Sequence, residues 1–254
     1  MNVSMQDTYN LVWKLASVLT GCMKPSILET YDTERRPVAQ ELMRMDSELV
    51  HVYEQQSARQ HGHTTGVDEI RQRYMGFMTG VTVTYPPTSL VADSKGSVAR
   101  NIELGMRLPS FKVENQASGC PQHLAERLVS NGYWRIILFS GDLREEKNRG
   151  RLASAAKDLQ YLVEPLSIPV EMLLIHASPR TDVGLLHLPG IFHPFNDQLG
   201  WDYSRVYADV DAYEGYGVED GSVVVCRPDQ HVGWVGCDVT ELEEYLYSEI
   251  CPSL

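Results

Sequence analysis

The residues able to do chemistry in this 254-residue chain are few and scattered. Five cysteines stand at 22, 120, 226, 237 and 251, an odd number with no CxxC pairing. Thiol exchange needs a low-pKa cysteine at the start of a helix directly after a strand. The residues in that place are Ser140-Gly141-Asp142-Leu143, and Cys120 lies before the strand. The five therefore read as reduced, mostly buried thiols that behave as small hydrophobes. His61 and His63 alternate in a polar loop with no third ligand, so no metal site is expected there. His187, His193 and Asp197 are the residue types of an acid/base cluster, yet their proline- and aromatic-rich surroundings read as a packed loop. Glu34-Arg35-Arg36 has the charge to hold a phosphate, and the adjacent acid turns the reading toward surface or interdomain ion pairs. No GxSxG, P-loop or HExxH pattern occurs.

The elements that would carry these residues fall into two textures. With 43% hydrophobic and 22% charged residues the chain can bury a sizeable core. Thirty-four acidic against 22 basic residues give a net charge of −12, which repels phosphate backbones and anionic lipid, so neither nucleic acid nor a membrane surface is an expected partner. No apolar run approaches the roughly 20 residues of a membrane span. The first residues lack a basic stretch followed by an apolar one, and the chain reads as intracellular, in the cytoplasm.

Leu11, Leu15, Val18 and Leu19 recur at helical spacing over residues 3–20, with Gly21 as C-cap. A second helix is expected from Pro25 past Arg36-Pro37 to about Leu49, kinked or broken at Pro37. Residues 57–67 read as a loop, and Asp68 to about Met78 as a third helix. The stretch 79–107 has no periodicity and reads as a segment draped over a neighbour or a linker, with a domain boundary near residue 100. Beyond it strands and helices alternate. Leu124–Leu128 fits a short helix, 133–140 (YWRIILFS) a strand, 149–163 a helix and 170–176 a second strand. Segment 178–204 reads as a loop; 222–226 and 231–236 pair as a hairpin across Arg227-Pro228-Asp229-Gln230, and a helix from Val239 closes the chain. The order β-α-β then β-β-α is that of a small α/β domain with a mixed sheet and helices on both faces.

Residues 1–20 (MNVSMQDTYNLVWKLASVLT) and 26–42 (SILETYDTERRPVAQEL) resemble the flavin-dependent aromatic hydroxylases, in particular the phenol 2-monooxygenase branch. In that family a Gly-x-Gly-Met-Asn segment opens a helix, followed by an Asp and then Trp-Lys-Leu; Met1-Asn2, Asp7 and Trp13-Lys14-Leu15 match those places. The resemblance continues through 77–91 (FMTGVTVTYPPTSLV), 105–110 (GMRLPS), 135–140 (RIILFS) and 227–236 (RPDQHVGWVG). It implies an N-terminal helical segment followed by a thioredoxin-like α/β domain with a mixed sheet, divided as 1–100 and 101–254.

The resemblance also implies FAD as cofactor, with the backbone at Met1 and Asn2 facing the isoalloxazine. There, first-turn N–H groups and the helix dipole would stabilise negative charge on the flavin edge. The side chain of Asn2 reads equally well as a helix N-cap. The parent reaction is hydroxylation of a phenolic ring with NADPH and O2. A GxGxxG dinucleotide-binding unit, a second flavin-contacting Gly-Asp motif and the substrate-binding sheet of that family do not occur in these 254 residues. The expectation is a chain corresponding to the C-terminal part of such a hydroxylase, inactive by itself. It would assemble either as a homodimer or with a flavin-domain partner. An apolar face around Leu11, Trp13, Leu15 and Val18 is expected to need cover. The alternatives are a non-catalytic dimerisation or assembly module and, in another class, a protein using a pocket between the helical part and the α/β domain.

Overall fold

The structure, a computed structural model, describes residues 2–58, 65–94 and 98–250; Met1, His61, His63 and Cys251 lie outside that set. Helix α1, Asn2–Leu19, ends in a pair of nested bonds. The Cys22 N–H donates to the Ser17 carbonyl at 2.8 Å and the Gly21 N–H to that of Val18 at 3.0 Å. Gly21 at φ +75° permits the reversal, as the sequence expectation requires.

A 3-10 turn, Pro25–Leu28, feeds α2, Glu29–Ala58. The helix is continuous through Pro37, where a kink or break is expected from sequence. Pro37 removes one backbone bond, but Glu34 and Arg35 are locked by buried ion pairs before it, and Val38 and Met45 are buried after it. Packing on both sides outweighs the missing bond. The third expected helix is two, α3 (Thr65–Arg73) and α4 (Met75–Thr79), parted at Tyr74.

The aperiodic stretch after α4 is core rather than slack. Tyr85, Leu90, Val91, Ala99 and Ile102 are each at most 2% exposed. Isolated bridges pin Thr84 to Met106, Ala99 to Val218 and Arg107 to His231. At Gly105, φ +74°, a β-carbon would sit 2.1 Å from the Tyr85 carbonyl oxygen, so no side chain fits.

The sheet is built from β1 (Lys112–Asn115), β2 (Pro121–His123), β3 (Trp134–Phe139), β4 (Val170–His176) and three later strands. Helix α5 (Leu124–Arg127) precedes β3, and α6 (Glu146–Val163) makes the crossover to β4. The loop expected at 178–204 carries short 3-10 turns and a small hairpin, β5 (Phe195–Asn196) with β6 (Gly200–Trp201). Then come β7 (Val206–Asp209), α7 (Ala212–Tyr216), β8 (Val223–Cys226), β9 (Val232–Gly236) and α8 (Val239–Glu244), which continues as π turns over Tyr245–Ile250.

The seven-stranded order is β2-β1-β7-β4-β3-β8-β9, with β3, β4 and β7 mutually parallel and β8 antiparallel to β3. This is the mixed sheet expected. All six residues of β3 are buried because both of its faces are covered. Trp134, Ile136 and Leu138 join the core with α1, α6 and α8, while Ile137 and Phe139 join the core with α7 and the draped segment. Of the four described cysteines only Cys226 is buried; Cys120 and Cys237 are exposed, against the expectation of mostly buried thiols. They sit in surface turns, and burial pushes the Cys226 thiol up to about 12.

At the end of β4, His176 is fully buried with Nε2 2.9 Å from Gln116 Oε1. The Gln116 amide nitrogen donates to the carbonyls of Arg180 and Val183, so its oxygen accepts and His176 Nε2 carries the proton. Burial lowers the His176 pKa from 6.5 to about 4. Between those pH values the unfolded chain binds more protons than the folded one, so acid favours unfolding. Urea midpoints are therefore expected to fall as pH drops from about 6.5 to about 4. The His176 share is on the order of 3 kcal/mol, and a His176→Asn variant should show a shallower fall.

Candidate functional site

The two parts of the chain meet through charges removed from water. Lys14 on α1, Glu34 on α2 and Arg227 in the β8–β9 turn are 0% exposed, and Asp229 in the same turn is 6% exposed. Arg227 donates from Nη1 to Glu34 Oε1 at 2.6 Å and from Nη2 to Glu34 Oε2 at 3.0 Å. The same guanidinium reaches Asp229 from Nη2 at 2.6 Å and from Nε at 3.1 Å. Lys14 Nζ donates to Glu34 Oε2 at 2.8 Å and to Asn10 Oδ1 at 2.9 Å, and Asn10 Nδ2 donates to Glu34 Oε2 at 2.7 Å. Trp13 Nε1 completes Asp229 at 3.2 Å. Two cations face two anions, and every carboxylate oxygen has a donor.

The walls of this cluster are aromatic. The Arg227 guanidinium lies 5.4 Å from the Trp13 ring centre and 5.2 Å from that of Tyr85. Tyr85 stacks on His231 at 4.2 Å, and Trp13 meets Trp134 edge-on at 5.9 Å. In this dry setting charges act strongly on one another. Burial and the neighbouring Arg227 push Lys14 down to about 8, against the pull of Glu34. Burial alone would raise the Glu34 pKa, but Arg227 and Lys14 outweigh it and hold the carboxyl below its ordinary value. Asp229 is likewise held ionised, against burial, by Arg227.

Glu34-Arg35-Arg36 thus divides by position along α2. Glu34 is in the cluster, and Arg35 binds Asp7 at 2.6 Å and the Tyr85 hydroxyl at 3.1 Å. Arg36 makes a surface pair with Asp32. Of the apolar face expected to need cover, Trp13 is 5% exposed and Val18 packs on the main core. Leu15 of that face is exposed, together with Met5, Val12 and Leu19. Asn10 and Lys14, one turn apart, face Glu34.

His187, His193 and Asp197 do not converge. His193 is 5% exposed, with Nε2 2.7 Å from the Leu188 carbonyl, while Asp197 and His187 are exposed and no hydrogen bond joins the three among the described residues. No group of three or more metal-ligating side chains occurs among the described residues. No described helix is long and apolar enough to cross a membrane. A cavity of about 190 Å³ does lie between the helical part and the α/β domain, lined among others by Gln6, Tyr9, Asn10, Tyr85, Arg107 and His231.

The residues present fit one part of a flavin dinucleotide. Helix α1 has 18 residues and no acidic side chain in its first turn, so its free N–H groups and dipole are open to an electronegative ring edge. A pyrophosphate needs a glycine-rich turn between strand and helix. The β3–α6 turn instead holds Asp142, and a β-carbon at Gly141 would sit 2.4 Å from the Asp220 carboxyl carbon. These acids repel a pyrophosphate, so that part of the cofactor does not fit there.

Fold and junction define an α/β protein of thioredoxin-like architecture carrying an N-terminal helical arm welded to it by buried charge. Residues 83–253 match the family model described as "Phenol hydroxylase, C-terminal dimerisation domain", and residues 1–46 match "FAD binding domain". The chain belongs to the phenol hydroxylase family. It is 37% identical to the FAD-dependent monooxygenase ankC of Aspergillus thermomutatus, over 97% of this chain and 43% of that protein. It is 34% identical to phenol 2-monooxygenase fsqG of Aspergillus fumigatus, over 92% of this chain and 42% of that protein. Among solved structures, the flavin-dependent monooxygenase PieE in complex with FAD and substrate shares the fold with a TM-score of 0.59 at 20% identity. That match covers 96% of this chain and 42% of that one. The chain therefore spans less than half the length of these relatives.

Nothing in the spacing of WKL, ERR and RPDQH assigns Asn10, Lys14, Arg227 and Asp229 to one site. The available signal was charge inside apolar runs, with Lys14 between Trp13 and Leu15 and Arg227 directly after VVVC. Arg227→Met should leave Glu34 and Asp229 short of their cation and cost about 3–5 kcal/mol in urea unfolding. The Glu34→Gln, Arg227→Met pair should cost less than the sum of the two single changes.

Proposed function

We propose that this chain supplies the flavin-edge helix and the subunit-pairing domain of an FAD-dependent aromatic hydroxylase. The observation that carries the reading is that both family models match one chain whose matched parts are joined by the Lys14–Glu34–Arg227–Asp229 cluster. Residues 1–100 form the portion belonging to the FAD-dependent part, and residues 101–254 the dimerisation-type domain. The parent reaction is hydroxylation of a phenolic or other aromatic ring with NADPH and O2. FAD, when bound, supplies the reduction by NADPH and the activation of oxygen. This chain's contribution is positional. The backbone at Met1 and Asn2 would face the cofactor edge, and the buried cluster fixes α1 relative to the sheet. Asp7, held by Arg35, anchors the first turns of that helix.

The pairing role is supported by the β5–β6 hairpin, which presents Leu199, Phe195 and Trp201 at 87, 57 and 45% exposure. Phe195 and Trp201 pack on each other at 5.2 Å, forming a rigid apolar knob of the kind that anchors an interface. The second copy of the chain is its occupant in this reading. The dimer and the hydroxylase chemistry are separable, because pairing needs only residues of this chain.

Two measurements test the proposal. The purified chain alone should lack the visible flavin absorption band and should consume no O2 with NADPH and a phenol. Hydroxylation of a phenol by the chain alone would overturn that part. Light scattering should give twice the monomer mass. Leu199→Glu with Trp201→Arg should shift the protein to monomer while its far-UV circular dichroism at 25 °C stays that of the folded wild type. A wild-type monomer would overturn the pairing role.

A further inference from the structure

A second cavity, of about 480 Å³, opens on the opposite end of the α/β domain from the cluster's turn. It lies where the carboxyl ends of β3 and β4 deliver their loops, between the first turns of α6 and the 3-10 turns 180–188. Crevices outside the carboxyl ends of parallel strands are where open α/β sheets bind small molecules. The volume falls within the range of ligand sites. Its wall is apolar over Leu143, Leu152, Ala153, Val183 and Leu188, its polar lining includes Arg144, Asp182 and His187, and a further cation stands in that lining.

That cation is Arg149. Its Nη1 donates to the Leu143 carbonyl at 3.0 Å and to the Arg144 carbonyl at 2.8 Å, which anchors the guanidinium of this lining residue. Among the described residues its Nε and Nη2 have no partner, and no carboxylate pairs with it. Its neighbour Arg144 differs, being engaged by Asp142 through Nε at 3.0 Å and Nη2 at 2.5 Å and lying 3.8 Å from Asp182. An anchored arginine with a free Nε–Nη2 edge presents two parallel donors, the geometry that matches a carboxylate.

We propose that this cavity binds an apolar monocarboxylate, its carboxylate forked by Arg149 and its hydrocarbon body against Leu143, Leu152 and Leu188. The site is separate from the flavin-edge helix and independent of the hydroxylase reading. Nothing is transformed there; the group binds through a charge-assisted pair and burial of apolar surface.

The experiment is calorimetric titration of the full chain with 2-naphthoate and with 2-acetonaphthone, its neutral counterpart. One-to-one binding of naphthoate, at least tenfold tighter than the ketone, is expected. Arg149→Gln should bring naphthoate down to the ketone's affinity while leaving the ketone unchanged, and Arg149→Lys should recover part of the difference. Ala153→Trp, an exposed helical position whose new side chain would fill the cavity, should weaken both ligands at least tenfold with an unchanged melting temperature. No naphthoate binding, equal binding of acid and ketone, or binding indifferent to both Arg149→Gln and Ala153→Trp would overturn the proposal.

Discussion

Arg227 is the interaction on which the rest of this structure depends. Its guanidinium is fully buried at the turn between β8 and β9, and burying a cation is costly unless every donor is met. It is met by Glu34 from α2 and by Asp229 two residues on, so the helical arm supplies half of the acceptors that the buried turn requires. Lys14 then neutralises what remains of Glu34's charge and brings α1 into register. A buried ion pair of this kind is weak evidence for net stability, because a well-packed apolar replacement often does as well. Its stronger effect is on geometry: an apolar patch tolerates a slipped helix, and a four-charge cluster with directional bonds does not.

The hairpin turn shows how that demand is transmitted. Gln230, at φ 67°, is the described non-glycine residue with positive φ. It holds that unfavourable conformation while the Gln230 N–H donates to the Arg227 carbonyl and the Arg227 N–H to the His231 carbonyl, both at 2.9 Å. The Gln230 side chain also bonds Arg107 and the Leu128 carbonyl, tying the turn to the draped segment and to the end of α5. His231 stacks on Tyr85 one residue further on. Strain at one residue is thus offset by contacts to two distant parts of the chain, the draped segment and the end of α5. This is how the described parts of the aperiodic stretch 79–107 are held without an element of their own.

Much of the architecture was legible in sequence where one period dominated. The strand at 134–139 is an unbroken apolar run because both faces are covered, and the helix at 146–163 alternates its faces plainly. Strands β1 and β7 were not legible. They are four residues each, their patterns KVEN and VYAD are too short to carry a period, and their identity as strands comes from pairing with each other and with β4. At Pro37 the helix does not break for a related reason, since packing on both sides of it holds the turn. The charge cluster was half legible. Glu34-Arg35-Arg36 reads as surface or interdomain ion pairs, but no spacing in sequence reveals that residues 14, 34, 227 and 229 converge, because the convergence is produced by docking three elements.

The corner where a thioredoxin-like fold would hold a reactive thiol is built here for a different purpose. Asp142 Oδ1 accepts from the Arg144 N–H at 2.9 Å and from the Ser178 hydroxyl at 3.1 Å, while the Ser178 oxygen accepts from the Leu143 N–H at 2.6 Å. Asn148, one turn into α6, donates to the Asp142 carbonyl at 3.1 Å. These bonds close the strand-to-helix turn with a fixed negative charge, held well below the ordinary carboxylate pKa by its bonds to Arg144. A thiolate beside that charge would be disfavoured, so the electrostatics of the turn oppose thiol chemistry on their own account. The same bonding that occupies Arg144 leaves Arg149, anchored on two carbonyls, without a carboxylate partner among the described residues. One substitution of chemistry, a carboxylate where the fold elsewhere carries sulfur, therefore both stiffens the turn and determines which arginine is available to a ligand.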